Sequence, residues 1–326
     1  MIGVAFLAAG LLGTYAPPPP AANLAPQPNF NQTCADTGNA SHACFVATMS
    51  ALDFARHQEG LGPLYLPRNW LQLTPPEQLL VITNLERTAR KEQPITGLTA
   101  GLNVVAAAGA VHQTDPKMIP ITAPVVSIWA RTEGPLASDY GWMYNDGWSG
   151  PLQRTPNLTC TSATASGCWG HRANILAEWH HHLLSGRSGP WYLAAGAAQR
   201  VVPISTPGPS LVPPTALSDA MIVTAYLHSP TYRYTWQEAL AEGAGNPKTG
   251  WNPVASGGLT FLWEFWAWVR GHVIDTAVAA AVAVATIYLK IRRRRLRRRQ
   301  HHADARLGSV TIKRRNNVSD ITRYKS

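Results

Sequence analysis

The sequence predicts an α+β domain followed by a single membrane-spanning helix. Three observations carry that reading. Helical apolar periodicity with strong start signals runs through residues 74–144. Two strand-like runs follow, at Trp191 to Ala198 and Ala220 to Leu227. Near the C-terminus, an apolar segment is collared by aromatics on one side and by arginines on the other.

The elements follow in order. Ile2 to Ala16 is an apolar run suited to a signal-peptide core, within a signal-like segment 1–22, although no Lys or Arg precedes it. Residues 17–33 are rich in Pro, Ala and Asn and read as an extended linker. An N-terminal extension, 23–59, carries the cysteine pair Cys34 and Cys44. The main domain is expected over 60–238. Its first clear helix starts at Thr74 as N-cap, with Pro75 at the first helical position and Glu77 completing a capping box. Leu79, Ile82, Leu85 and Ala89 then share one face. A second helix is expected from Thr99 to about Val111, with Leu102, Val105 and Ala106 inward and Gly109 allowing close packing. Prolines 116, 120 and 124 mark a loop that ends in a strand-like run. A short helix over Leu136 to Tyr144 leads into an Asn145-Asp146-Gly147 turn. Five prolines from Pro203 to Pro214 mark an irregular excursion joining the two strands, and 239–258 reads as a juxtamembrane linker.

The span is Val273 to Leu289, within an aromatic belt and helix at 259–290. Phe261, Trp263, Phe265, Trp266 and Trp268 precede it, and Lys290, Arg292 to Arg295 and Arg297 to Arg299 follow. By the positive-inside rule the basic tail, 291–326, is cytoplasmic and the domain is extracellular. Residues 290–326 carry +12, whereas the rest of the chain carries −2, giving the total of +10. A nucleic-acid binder would spread its basic footprint over a folded face, so no nucleic-acid partner is expected. Four cysteines in two close pairs, Cys34/Cys44 and Cys160/Cys168, fit export. Three connectivities are open, and the local pairs are the expectation. A thiolate zinc site disagrees with the gaps in both pairs.

The stretch Cys160 to Leu176 contains Trp169-Gly170-His171-Arg172-Ala173-Asn174-Ile175-Leu176. On a helix His171, Asn174 and Ile175 share a face. This run resembles the Gly-His-Arg-x-Asn-Ile-Leu signature of the CAP superfamily (cysteine-rich secretory proteins, antigen 5, pathogenesis-related 1) in its bacterial, SCP-like form. Asn84-Leu85-Glu86-Arg87, Leu102-Asn103-Val104-Val105-Ala106 and Trp142-Met143-Tyr144-Asn145-Asp146-Gly147 are similar to further segments of that family. The resemblance implies an α-β-α sandwich and a cavity that in many members holds two His and two Glu, sometimes with zinc. Carried over, His171 matches the second histidine. The two glutamate positions fall on Asn145 and Ser127, and His112 is a candidate for the first histidine. Asp146 is a nearby carboxylate. The cofactor expectation is therefore none, with zinc on His171 as the possibility to test.

His171 reads first as a structural helix-start residue, and Asp139 and Asp146 as turn or helix-start residues. Ser166 has no nucleophile-elbow context. His180 to His182 read as a solvated run. Two functions are weighed. One is a non-enzymatic module presenting a groove near His171, Tyr140, Trp142 and Tyr144 to an extracellular lipid or envelope ligand. The other is a metal-assisted hydrolase acting on peptide or cell envelope. The hydrolase needs a carboxylate or second histidine within hydrogen-bond reach of His171. Asn145 and Ser127 facing that ring would favour the binding module.

Overall fold

A computed structural model describes residues 19–20, 22–118, 124–149, 159–179, 191–203 and 215–254. The chain divides into two units, Met1–Gly258 and Leu259–Ser326, and every described residue belongs to the first. The signal-like core, the expected span, the basic tail, the excursion at 204–214 and His180 to His182 lie outside the described residues. Among the described residues, no helix is long and apolar enough to cross a membrane.

The architecture is α+β. The elements are α1 (Phe30–Thr37), α2 (His42–Gln58), α3 (Pro75–Ala89), β1 (Gly97–Leu98), α4 (Ala100–His112), β2 (Val125–Thr132), α5 (Pro135–Tyr144), α6 (Gly170–Ile175), β3 (Tyr192–Pro203), β4 (Thr215–Tyr226), β5 (Tyr234–Thr235) and α7 (Trp236–Ala241). The five strands form a mixed sheet in the order β2-β4-β3-β1-β5. Only β1 and β3 pair in parallel; the other neighbours are antiparallel.

Local chemistry explains the helix starts. The capping box at α3 forms as expected, with Glu77 accepting from the Thr74 backbone and hydroxyl and Pro75 opening the helix. Thr99 caps α4 by accepting from the Leu102 N–H. Side chains on β3 and β4 alternate between two cores, as a period of two requires. Leu193, Ala195, Ala197, Met221, Val223 and Ala225 face one side, where α2, α3 and α5 pack. Ala194, Ala198, Ala220 and Ile222 face the other, where Leu102, Ala106 and Ala110 of α4 close over them. A Cβ on Gly196 would lie 2.0 Å from the Leu102 backbone, so α4 approaches β3 at a distance only glycine permits. Gly109 is likewise in tight contact, with Pro116 and Thr114.

Two stretches read as linker or extension are parts of the folded unit. Asn29 and Ser41 cap α1 and α2, and the Cys34–Cys44 disulfide joins the two helices. Phe30, Cys34, Cys44, Met49 and Leu52 then bury into the same core as α3 and α5. Their helical periodicity is masked by small and polar residues. Residues 239–254 do not form a free linker either. Leu66 and Trp251 exchange backbone hydrogen bonds, Trp251 stacks on Phe45 at 5.0 Å, and Asn252 donates to Asp53 and to the Leu64 carbonyl. Glycines and an asparagine mark a tight turn there, and the backbone pairing that anchors it is long-range.

Candidate functional site

The site is built around α6. This six-residue helix packs beside β2, an edge strand, and Asn174 donates its side-chain amide to the Ser127 carbonyl at 2.9 Å. An otherwise open strand edge is thereby covered. Arg172, buried at the helix start, donates to the Met143 carbonyl and to both carboxylate oxygens of Glu59. Arg87 of α3 donates to the carbonyls of Ile175 and Ala177 at the other end of the helix. The residues resembling a family signature are thus wired into one frame. Asn84 completes it by pairing with both backbone groups of Ile95.

His171 sits at the first turn of α6 with its side chain 16% exposed. Asp146 lies beneath it. One carboxylate oxygen is 2.8 Å from Nδ1, and the other accepts from the backbone N–H groups of His171, at 2.7 Å, and Arg172, at 3.2 Å. A carboxylate at a helix start satisfies orphan donors and the helix dipole together. On the other side, Asp115 lies 3.4 Å from Nε2. Burial alone would lower the imidazole pKa. The hydrogen bonds and charges of Asp115 and Asp146 outweigh it and push His171 up to about 9. Burial pushes Asp146 upward, against the pull of His171 and the two N–H groups. At neutral pH the ring is therefore an imidazolium held between two carboxylates.

Carboxylates within reach of His171 are what the hydrolase reading required; Asp146 was expected as a nearby carboxylate, and Asp115 was not. Asp146 was also read as a turn residue, and Asp115 was missed because it lies in a proline-containing loop with no motif around it. His112 is exposed on the last turn of α4, and Asp115, a little further along the same loop, is what reaches the ring. Ser127 supplies its carbonyl to Asn174, and strand alternation puts its side chain on the face covered by α4. Asn145 closes α5 through its N–H on Gly141. Tyr140, Trp142 and Tyr144 do not line a groove. All three are core residues, and their polar atoms bond the Leu24 carbonyl, the Trp129 carbonyl and Glu86. The ring nitrogens of His171 engage carboxylates rather than the neighbouring backbone.

Metal chemistry needs an unprotonated ring nitrogen and several converging ligands. Among the described residues, no group of three His, Cys, Asp or Glu is arranged to hold a metal ion. The Cys160–Cys168 disulfide closes the loop just before α6, and Cys34–Cys44 is the second bridge, so both local pairings form. Ser166 of that loop is exposed.

Beneath α6 lies a buried ionic cluster. Glu86 of α3 pairs with Arg56 at 2.8 Å and with Arg90, and Glu59 pairs with Arg90 at 2.7 Å and Arg172 at 2.8 Å. Burial would raise Glu86, but Arg56 and Arg90 overcome it and hold the carboxyl at about 2. Tyr144 joins through its hydroxyl, and its ring lies 5.9 Å from the guanidinium carbons of both Arg90 and Arg172. Asp139 is fully buried with neither carboxylate oxygen hydrogen-bonded, and burial raises its pKa well above the usual range. It is an interior residue, not the helix-start residue its position in the sequence indicates.

Comparison with protein-family models, with curated proteins and with solved structures finds no match to this chain.

Proposed function

We propose that this chain is a membrane-anchored, extracellular CAP-like domain that acts as a non-enzymatic ligand-binding or interaction module. The layered packing supports an α-β-α sandwich, with α4 on one face of the sheet and α3 and α5 on the other. Two disulfides fit an oxidising, exported location. The observation that carries the non-enzymatic reading is that both ring nitrogens of His171 are engaged by carboxylates. With Asp146 and Asp115 on its two nitrogens, the ring is protonated at neutral pH. With each nitrogen held by a carboxylate, the ring presents neither to a substrate as a general base. Its role is to clamp α6 and the cysteine loop onto the end of α5.

The metal-assisted hydrolase keeps one favourable observation, since two carboxylates do lie within reach of the ring. Calorimetric titration of zinc into segment 19–258, wild type beside His171→Ala, separates the two. The binding-module reading expects no saturable heat in either protein. Micromolar binding that the substitution abolishes would overturn it and establish a metal site.

A further inference from the structure

The described residues carry a cleft that the His171 clamp positions but does not line. Its volume is about 350 Å³, and its lining includes Asn23, Trp148, Ser149, Cys168 and Trp169. That size is at the low end of small-ligand sites, which span roughly 300–1,000 Å³. Both tryptophans are half-buried, so each indole is held by the protein yet presents area to solvent.

Three independent features mark the cleft as built rather than incidental. Trp169 occupies the left-handed backbone region, with φ 63° and ψ 23°. For a bulky residue this is costly and persists only where the surroundings over-determine it. They do so here. The Trp169 N–H donates to the Asp146 carbonyl at 2.9 Å, and the indole rests on Gly147, where a Cβ would come within 2.4 Å of the ring. Next, the Cys160–Cys168 bridge pins the wall from which Trp169 projects. Finally, Asn23 accepts the Gly147 N–H through Oδ1, while its amide nitrogen is buried with no hydrogen-bond partner. The bond to Gly147 fixes the Asn23 side chain at the wall of the cleft.

The lining indicates what the ligand is. Among the described residues lining the cleft none carries a charged side chain, which disfavours phosphate or carboxylate ligands. Two indoles beside an amide and a hydroxyl match the two-sided chemistry of a sugar ring. Its axial C–H groups carry slight positive charge and pack on the negative face of an aromatic, while its hydroxyls need donors and acceptors at the edge. A lipid chain would leave the amide and hydroxyl unmatched. We propose that this cleft binds a neutral saccharide, with Trp148 and Trp169 as stacking platforms and Asn23 and Ser149 as polar contacts. The proposal rests on the binding-module reading and names its ligand class.

The test uses the full-length chain in phosphatidylcholine nanodiscs, because sugar-headed detergents would compete. Cellotetraose and chitotetraose are titrated with tryptophan emission and calorimetry as readouts. The expected result is saturable binding of at least one of them, with Kd near or below ~1 mM. Trp148→Ala should weaken it by about tenfold or more, as loss of a central aromatic contact does. Trp148→Phe should retain most of it, and Val104→Ala, on the exposed face of α4, should leave it unchanged. Absence of saturable binding, or equal binding by Trp148→Ala, overturns the proposal. Trp148-dependent binding of myristate in place of either sugar overturns the saccharide assignment while leaving the binding-module reading standing. Shorter oligosaccharides appearing on chromatography would support the cleft as a sugar site and overturn the non-enzymatic reading.

Discussion

His171 makes the stability of this domain depend on pH in a direction that identifies its partners. Its pKa is about 9 in the folded protein, against an ordinary value of 6.5. Because the folded value is raised, the folded state binds the proton more tightly than the unfolded state. The contribution is complete below pH 6.5 and is lost as pH rises through 9. A difference of about 2.5 units corresponds to about 3.5 kcal/mol at about 1.4 kcal/mol per unit, of which about 3 falls between pH 6 and 9.5, and the side chain is buried enough that solvent screening removes little of it. The assay is urea unfolding of segment 19–258, followed by tryptophan fluorescence from pH 5 to 10, for wild type and His171→Gln. Other buried groups titrate too. Asp219, held up to about 6 by burial despite hydrogen bonds from Ser138 and Gln199, loses stability as pH rises from about 4 to 6, the same sense in a lower window. The difference between the two proteins therefore isolates the histidine. Wild type should lose about 3 kcal/mol relative to the variant between pH 6 and 9.5. Parallel curves across that window would refute the imidazolium clamp, as would an NMR titration that placed His171 at or below 6.5.

Two further predictions concern the frame that holds this site. Glu86→Gln leaves Arg56 and Arg90 without their shared carboxylate in a dry interior, so chemical denaturation should show a loss of about 3–5 kcal/mol; a loss below about 1 kcal/mol would show that the cluster is not desolvated as the geometry implies. Gly196→Ala forces a methyl into the Leu102 backbone and should cost about 3 kcal/mol or more, read as a lowered Tm; an unchanged Tm would mean that α4 can lift off β3 without penalty.

Much of this fold was legible in short windows. Thr74, Pro75 and Glu77 announce α3, Thr99 announces α4, and both cysteine pairs close locally, because capping and short loops are settled by residues a few positions apart. The alternation of β3 and β4 was legible as strand character, though not as two separate cores. Helices α1 and α2 were not legible, since small and polar residues blur their periodicity while their caps and buried faces belong to a larger core.

The candidate site divides along the same line. The Gly170-His171-Arg172 run could be singled out as chemistry-bearing, with Asp146 as a nearby carboxylate, but Asp115 and Glu59 could not. Asp115 comes from the loop after α4, Asp146 from the end of α5, and Glu59 from the end of α2; only packing of those elements around α6 brings their carboxylates together. Sequence by itself determined helices α3 and α4, the strand character of β3 and β4 and the shift in charge between domain and tail, because each depends on neighbours along the chain. Tertiary structure alone decided that His171 is a cation between two acids, that Tyr140, Trp142 and Tyr144 are core, and that Trp148 and Trp169 face a cleft. Burial and electrostatic environment are properties of what surrounds a residue in space, and the residues that surround these come from loops far apart in the chain.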